Sequence, residues 1–279
     1  LAQRKAGYFN ETGSDNVMIG DCAGYCGDDQ NCNVFIGKYA GYFNHSNDNI
    51  AICKKAGCNI SSGCRNIVLG PVANCISTGS SNIAIGGITV MTTGNVTGNA
   101  NISMGPYSGR RLTSGGYNTF LGSSAGRYVT SGNLNVLIGN GSGYCMTSGC
   151  ENVAIGCGAG SRQTSSTHNT SIGRSAGWAN CTISGNVAGG HSAGYGIRGA
   201  NNISIGATAG PSDALTTADD NIFIGRCTGT ARTSGCFNIV MGSCAGSANN
   251  TGNGVGSYNI NIGHLSGHNL TTASETISI

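Results

Sequence analysis

A short unit recurs along almost the whole chain: an asparagine, an apolar residue, a variable residue, a second apolar residue and usually a glycine. We call this asparagine the lead asparagine. Strong copies begin at Asn16, Asn33, Asn82, Asn118, Asn135, Asn152, Asn202, Asn221 and Asn259, and weaker ones at Asn49, Asn66, Asn101, Asn169, Asn186 and Asn238. Most successive lead asparagines are 17 residues apart. A fixed period of this length is typical of solenoids, in which each repeat forms one layer of a stack.

The two apolar residues of the unit share one face of a β-strand, because side chains alternate between the two faces. The residue between them varies widely, from Met18 to Ala154 to Asn261. We therefore expect the apolar pair to be buried and the middle residue to face water. A helix is excluded because two glycines in each unit would cost about 1 kcal/mol apiece.

Each unit continues with Ala-Gly or Ser-Gly, as at Ala40-Gly41 and Ala159-Gly160, and closes with a polar turn. We expect the alanine to lie in a second strand, where the interior is thin, and the glycines to lie at bends with positive φ. The sequence thus predicts an all-β protein, a parallel β-solenoid (β-roll) of about 15–16 coils in a single domain over 1–279. Residues 1–15 are a half-coil, 16–274 full coils, and 275–279 a terminal half-coil strand.

Stacked identical asparagines also predict a ladder of side-chain amides along the solenoid, formed by the lead asparagines. Each amide would donate to the coil beside it and satisfy the backbone groups of the corner.

The Asn-apolar-x-apolar-Gly unit, clearest at 152–156, resembles the head repeats of trimeric autotransporter adhesins (the YadA-like β-roll) and similar units of phage tail fibres. The resemblance covers essentially the whole chain. It implies a parallel β-roll displayed outside the cell for attachment. The added Ala-Gly, the many cysteines and the lack of a heptad stalk or anchor segment differ from that family.

The charge pattern argues against several classes of function. Charged residues make up 9% of the chain, the net charge is +3, and the few Lys and Arg are scattered. The sequence therefore contains no basic stripe of the kind that binds nucleic acid. The chain contains no run of eighteen apolar residues, so the sequence predicts no membrane span. Asp28-Asp29, Asp219-Asp220, His264 and His268 lie in separate turns or lack partners, so we expect no enzyme, no metal site and no cofactor.

Fourteen cysteines without metal-finger spacing favour an oxidising, extracellular compartment. Three pairs bracket the closing turn of a coil and one pair repeats one coil apart. The predicted disulfides are Cys26 with Cys32, Cys58 with Cys64, Cys145 with Cys150, and Cys227 with Cys244. Partners of Cys22, Cys53, Cys75, Cys157, Cys181 and Cys236 stay open, and buried thiols are the alternative.

Asn-x-Ser/Thr sequons that fall in turns are candidates for glycosylation in a secreted chain. They begin at Asn10, Asn44, Asn59, Asn95, Asn140, Asn180, Asn249 and Asn269. Those at Asn101, Asn169 and Asn202 belong to the ladder and should be inaccessible.

The two ends of the chain complement each other. The start, at Ala6 and Gly7, enters partway through a coil, and the end, at Thr276, Ile277 and Ile279, is a strand without its following turn. This pattern predicts head-to-tail assembly into a filament, with 275–279 completing the first coil of the next molecule. The alternative is a piece of a longer repeat protein.

These features predict an extracellular structural protein whose main partner is itself, as a head-to-tail polymer or a homotrimer. One alternative is an adhesin that contacts receptors or surface glycans through Tyr42, Tyr144 and Trp178. A second is an ice-binding solenoid that uses a threonine column, with turn stabilisation as the competing role of those hydroxyls. That column comprises Thr113, Thr130, Thr147 and Thr164.

Overall fold

Within the described residues, every regular element is a short β-strand. The computed structural model describes residues 4–71, 78–86, 96–179, 182–211, 217–230, 234–247, 256–268, 270 and 272–279. The strands are β1 Val17–Ile19, β2 Val34–Ile36, β3 Ile50–Ile52, β4 Ile67–Leu69, β5 Ile83–Ile85, β6 Ile102–Met104, β7 Thr119–Leu121, β8 Val136–Ile138, β9 Val153–Ile155, β10 Thr170–Ile172, β11 Val187–Gly189, β12 Ile203–Ile205, β13 Ile222–Ile224, β14 Ile239–Met241, β15 Ile260–Ile262 and β16 Ile277–Ser278.

The chain contains two compact units, Leu1–Leu134 with β1–β7 and Asn135–Ile279 with β8–β16. Within each unit every strand pairs in parallel with the next one in chain order. The register matches repeat to repeat, so that Val153 lies opposite Thr170 and Ile155 opposite Ile172. The predicted parallel β-solenoid is confirmed, and each coil contributes one strand to it.

The prediction of which strand face is buried was wrong. The middle residue of each strand faces the interior: Phe35, Leu137 and Ala154 are all 0% exposed. The regular apolar residues on either side point outward, and Ile19 is 46% exposed. Alternation with a period of two is the same whichever face of the strand is buried. The constancy of the isoleucines along the repeats therefore does not indicate that they are inside.

The middle residues vary because their sizes compensate between neighbouring coils. Phe35 lies beside Ala51, and Phe223 lies beside Ser204, so a large ring fills space that a small neighbour leaves. The closing turn contributes a further column of interior side chains, which the repeat pattern did not predict. Its buried members include Ile60, Leu112, Val129, Met146, Gln163 and Ile197. Together these columns form the buried interior of the coils.

The Ala-Gly segment forms a turn rather than the second strand that we expected. Its alanines are buried, as at Ala159 and Ala176. Adjacent turns are bonded directly, since the N–H of Gly160 donates to the carbonyl of Ala176 over 2.9 Å. The coils are therefore held together on this side by backbone hydrogen bonds that do not form a regular sheet.

The glycine that follows each strand has a positive φ, as predicted, and lies against the next coil. At Gly139 φ is +123°, and a Cβ atom there would lie 2.7 Å from the carbonyl oxygen of Gly156. Real Cβ atoms do not approach backbone oxygens so closely. Cys53 takes this position in its own coil, at a φ of +109°. The glycine is therefore required by close approach of the backbones as well as by the bend.

The residue just before the lead asparagine adopts a left-handed conformation whatever its side chain. The φ values are +57° at Asp15, +57° at Glu151, +58° at His168 and +61° at Phe237. These side chains are exposed. The bend is thus set by the stacked backbone and not by the amino acid that occupies it.

The lead asparagines form a continuous hydrogen-bond ladder within each unit. The backbone N–H of Asn169 donates to the Oδ1 of Asn152 over 3.0 Å, and the Nδ2 of Asn152 donates to the Oδ1 of Asn135 over 3.1 Å. The same Nδ2 also donates to the carbonyl of Ser166 in the turn that closes the coil, over 2.8 Å. Asn152 is 0% exposed. Each asparagine therefore satisfies buried backbone groups in two coils.

Candidate functional site

The outward strand residues form a continuous apolar surface in each unit, which we call the Ile/Val face. It comprises the first and third strand positions: Val17, Val34, Ile50, Ile67, Ile83, Ile102, Thr119, Val136, Val153, Thr170, Val187, Ile203, Ile222, Ile239, Ile260 and Ile277, with Ile19, Ile36, Ile52, Leu69, Ile85, Met104, Leu121, Ile138, Ile155, Ile172, Gly189, Ile205, Ile224, Met241, Ile262 and Ile279. None of these residues is charged, and none is buried.

The Ile/Val face is regular because of how the strands form. β-branched residues favour extended backbone, and parallel pairing in register sets equivalent side chains about 4.8 Å apart. The glycine after each strand lets the next coil approach without an intervening side chain. Exposure reaches 47% at Ile172 and 45% at Ile205. This surface is the most unusual feature of the described residues, since soluble monomers rarely expose long apolar patches.

The aromatic residues expected at an adhesive surface pack against their own neighbours. Tyr42 stacks on Tyr25 with ring centroids 5.0 Å apart and planes 7° apart. Trp178 stacks on Tyr195 at 4.7 Å and 2°, and its ring also lies 3.9 Å from the guanidinium of Arg162. The faces of these rings therefore contact protein groups in adjacent coils. Tyr144 is half-buried.

The threonine column directs its hydroxyls along the solenoid. Thr113 Oγ1 donates to the carbonyl of Thr130 over 3.0 Å, and Thr147 Oγ1 donates to the carbonyl of Thr164 over 3.0 Å. A hydroxyl has one proton, so these groups present only acceptor capacity outward. The geometry favours the turn-stabilising role over an ordered array for ice.

No family model, curated protein or solved structure matches this chain. The likeness to YadA-like head repeats therefore rests on the repeat motif alone and stays a prediction.

The four predicted disulfides are absent from this structure. No bond joins Cys26 to Cys32, Cys58 to Cys64, Cys145 to Cys150, or Cys227 to Cys244. The sulfur of Cys64 lies 3.6 Å from the hydroxyl of Ser80 in the next coil. The Cys227 sulfur instead contacts the Thr208 hydroxyl at 3.2 Å. Cys75 and Cys181 lie outside the described residues.

A second polar ladder explains the orientation of Cys236. In many coils the residue two before the lead asparagine uses its side chain to accept a backbone N–H from the preceding coil. Asn133 Oδ1 accepts from Gly116, and Asp219 Oδ1 from Ala200, each over 2.7 Å. Cys236 takes the same place and accepts from the N–H of Asp219 over 3.3 Å. The recurrence of Asn, Ser, Thr, Asp and Cys two places before the lead asparagine was the sequence signal for this ladder.

Cys64 is expected to react with iodoacetamide faster than Cys26 at pH 8. The hydrogen bond between Cys64 and Ser80 and the nearby Arg65 lower the pKa of the Cys64 thiol, whereas burial and Asp28 raise the pKa of Cys26. At any given pH the lower pKa gives the larger thiolate fraction, and the thiolate is the reactive form. Peptide mass spectrometry after timed labelling measures both rates. The two rates should become equal in urea, where the local environments are lost. Equal rates in the native protein would contradict the expected order.

The structure separates the predicted glycosylation sites. Asn59 and Asn140 are exposed, and Asn10 is half-buried. Asn44 was a wrong candidate, because it is 0% exposed and its Nδ2 donates to Gln30 Oε1 over 3.0 Å. Asn95, Asn180, Asn249 and Asn269 lie outside the described residues.

The residues predicted for head-to-tail contact lie in the first turn and the last strand. Ala6 and Gly7 are half-buried, and the Gly7 N–H donates to the carbonyl of Ala23. Thr276 occupies the place of a lead asparagine and donates to Asn259 Oδ1. Ile277 and Ile279 are 72% and 93% exposed. Contact between molecules through these residues stays a prediction.

Titratable groups are dispersed over the described part of the chain. Two ion pairs occur there, Lys38 with Asp21 at 3.0 Å and His168 with Glu151 at 2.9 Å, both exposed. Among the described residues, no three His, Cys, Asp or Glu side chains meet where they could hold a metal ion. The same residues contain no helix with the length and apolar character to cross a membrane.

Proposed function

We propose that this chain is a structural protein that assembles with copies of itself through the Ile/Val face. The observation that carries the proposal is the orientation of the strands, which turn isoleucine and valine outward in nearly every coil. Small and variable residues fill the interior instead. Outward apolar side chains gain free energy only when another surface removes them from water.

The size of the Ile/Val face suits a stable interface. A three-residue strand spans roughly 10 Å, and coils repeat at about 4.8 Å, so each coil contributes roughly 50 Å². The nine strands of the second unit alone reach roughly 450 Å². An exposed apolar patch of several hundred Å² is typical of a protein–protein interaction surface.

A second copy is the partner that the surface pattern favours. The apolar side chains form ridges that repeat with the coil spacing, and only a surface of the same period can interdigitate with them over many coils. The same chain supplies that period. Interdigitated identical β-surfaces form dry, well-packed interfaces. The absence of charged residues from all positions of the face also removes the repulsion that like surfaces would otherwise meet.

The proposal places the assembly outside the cell, as a fibre or multi-chain rod. Fourteen cysteines in a chain of this size suit a secreted protein, and the exposed sequons at Asn59 and Asn140 would be accessible to glycosylation. The rows of similar coils favour a mechanical or scaffolding role over a catalytic one.

Sedimentation velocity of purified protein tests the proposal. Wild-type chains are expected to form oligomers at micromolar concentration, and the double variant Ile138→Lys/Ile155→Lys is expected to sediment as a monomer, because two ammonium groups would have to be desolvated in the interface. The matched control is Ser148→Lys/Ser165→Lys, at two exposed turn positions of the same coils. It adds the same charge and should leave assembly unchanged.

Far-UV circular dichroism must show that both double variants keep the β-solenoid. A wild-type chain that remains monomeric at 100-fold higher concentration than the expected threshold refutes the proposal. So does an Ile138→Lys/Ile155→Lys variant that assembles like wild type.

A further inference from the structure

Three arginines and two tyrosines form a contiguous cluster on the turns of two neighbouring coils in the first unit. Tyr107 lies close to Arg110 and Arg127, whose guanidinium carbons are 5.5 and 5.1 Å from its ring centroid. Tyr128 lies close to Arg111 and Arg127, whose guanidinium carbons are 4.5 and 5.6 Å from its ring centroid. We call these five residues the arginine–tyrosine cluster.

The stacked turns fix this cluster in place. The N–H of Arg111 donates to the carbonyl of Arg127 over 3.2 Å, and the N–H of Gly109 donates to the carbonyl of Ala125 over 2.9 Å. Each guanidinium also lies near an aromatic ring, which favours a defined side-chain orientation. The positive charges are therefore arranged before any ligand arrives, which lowers the entropy lost on binding.

The part of the first unit that contains the cluster carries positive charges and no negative ones. Residues 49–134 contain six basic residues and no Asp or Glu: Lys54, Lys55, Arg65, Arg110, Arg111 and Arg127. The coils before it are acidic by comparison, with Asp15, Asp21, Asp28, Asp29 and Asp48. The whole-chain net charge of +3 conceals this separation.

We propose that the arginine–tyrosine cluster binds a linear sulfated or carboxylated glycan. A guanidinium offers five N–H donors in its plane, and stacking on a ring occupies its face while its edge remains suited to a sulfate or carboxylate. Coils about 4.8 Å apart place the arginines in a short row that an extended chain can follow.

Glycan is favoured over single-stranded nucleic acid by the state of the rings. Nucleic-acid grooves offer aromatic faces on which bases stack. In the cluster each tyrosine ring already has two guanidinium carbons within 5.6 Å of its centroid, so recognition by the charge of the arginines is the mode that the cluster favours.

The proposal is independent of self-assembly, because the cluster lies on the turns and not on the Ile/Val face. Its test is isothermal titration of the full chain with a heparin decasaccharide at several salt concentrations. The triple variant Arg110→Gln/Arg111→Gln/Arg127→Gln should weaken binding by about tenfold or more. The slope of log affinity against log salt should fall by on the order of two to three.

The matched control is Arg174→Gln/Arg198→Gln/Arg226→Gln, three exposed arginines of the second unit. It removes the same charge and should change affinity little. A third variant, with lysine at the three cluster positions, keeps the charge and should bind with intermediate affinity because the planar fork is lost.

Equal losses in the glutamine variant and its control would overturn the proposal, since binding would then follow net charge alone. No measurable binding by wild type would also overturn it. Tighter binding of a single-stranded oligonucleotide of equal charge than of the decasaccharide would overturn the choice of glycan. The melting temperature of each variant shows whether a loss reflects unfolding.

Discussion

Replacing Asn152 by alanine is expected to lower the free energy of unfolding by about 2–6 kcal/mol, since two buried backbone groups lose their partners at about 1–3 kcal/mol each. Oδ1 of Asn152 accepts the N–H of Asn169, and Nδ2 donates to the carbonyl of Ser166. No nearby side chain replaces both interactions, because Asn152 lies fully inside the corner.

Urea denaturation followed by far-UV circular dichroism measures this loss, and hydrogen exchange at the amide of Asn169 localises it. That amide should exchange faster in the variant. Asn140→Ala is the control, because Asn140 is an exposed turn residue twelve places earlier in the chain. Its substitution should change stability by less than about 0.5 kcal/mol. A similar small change for Asn152→Ala would show that the ladder contributes little to stability.

Replacing Gly139 by alanine is expected to destabilise the solenoid by about 2–6 kcal/mol, combining backbone strain with overpacking. The new Cβ would lie 2.7 Å from the Gly156 oxygen, and that backbone is held in place by the hydrogen bond from the Gly156 N–H to the Ile138 carbonyl. Neither strand can move without breaking the register of the adjacent coils.

Gly141→Ala is the matched control, two residues further along. Gly141 also has a positive φ, +63°, but a Cβ there has no heavy atom within 4 Å. Only the left-handed conformation is penalised, at about 1 kcal/mol. Thermal melts of the two variants separate steric contact from backbone conformation. Equal melting temperatures would show that the close approach is not what requires glycine. The reciprocal substitution, Cys53→Gly, should raise the melting temperature.

The repeat predicts the architecture well because period and pairing are coupled. A motif that recurs every seventeen residues can satisfy its strand edges only by stacking in register, so Asn152 and Asn169 had to become neighbours. The prediction of asparagine hydrogen bonds followed from that stacking and from the two-sided chemistry of the amide.

The orientation of the strand could not be read from the same pattern. Alternation places Val153 and Ile155 together but does not say which side is inside. The buried side is indicated by the large Phe35 and the small Ala51 in neighbouring coils, whose sizes compensate each other. This relation is seen only when each repeat is aligned with the next. The main candidate surface was therefore missed, because its isoleucines and valines were expected to be buried.

Cysteine pairing and sequon accessibility depend on side-chain direction, which spacing does not determine. Cys236 takes the place of a polar group in a ladder that runs between coils, and the sulfur of Cys64 lies near the Ser80 hydroxyl of the next coil, so both sulfurs contact adjacent coils. Asn44 belongs to a turn, but its turn packs into the interior column that includes Ile60. A turn in a solenoid is thus not necessarily a surface loop.

The left-handed bend before each lead asparagine has a consequence for how such a chain can diversify. Because the stack holds the bend, that place accepts acidic, basic, aromatic and thiol side chains alike, and residues in successive coils touch one another there. Glu151 meets His168, and the ring of Phe237 stacks on Tyr258 at 5.1 Å. Mutation along this edge could change the chemical character of the surface coil by coil while the scaffold beneath stays constant.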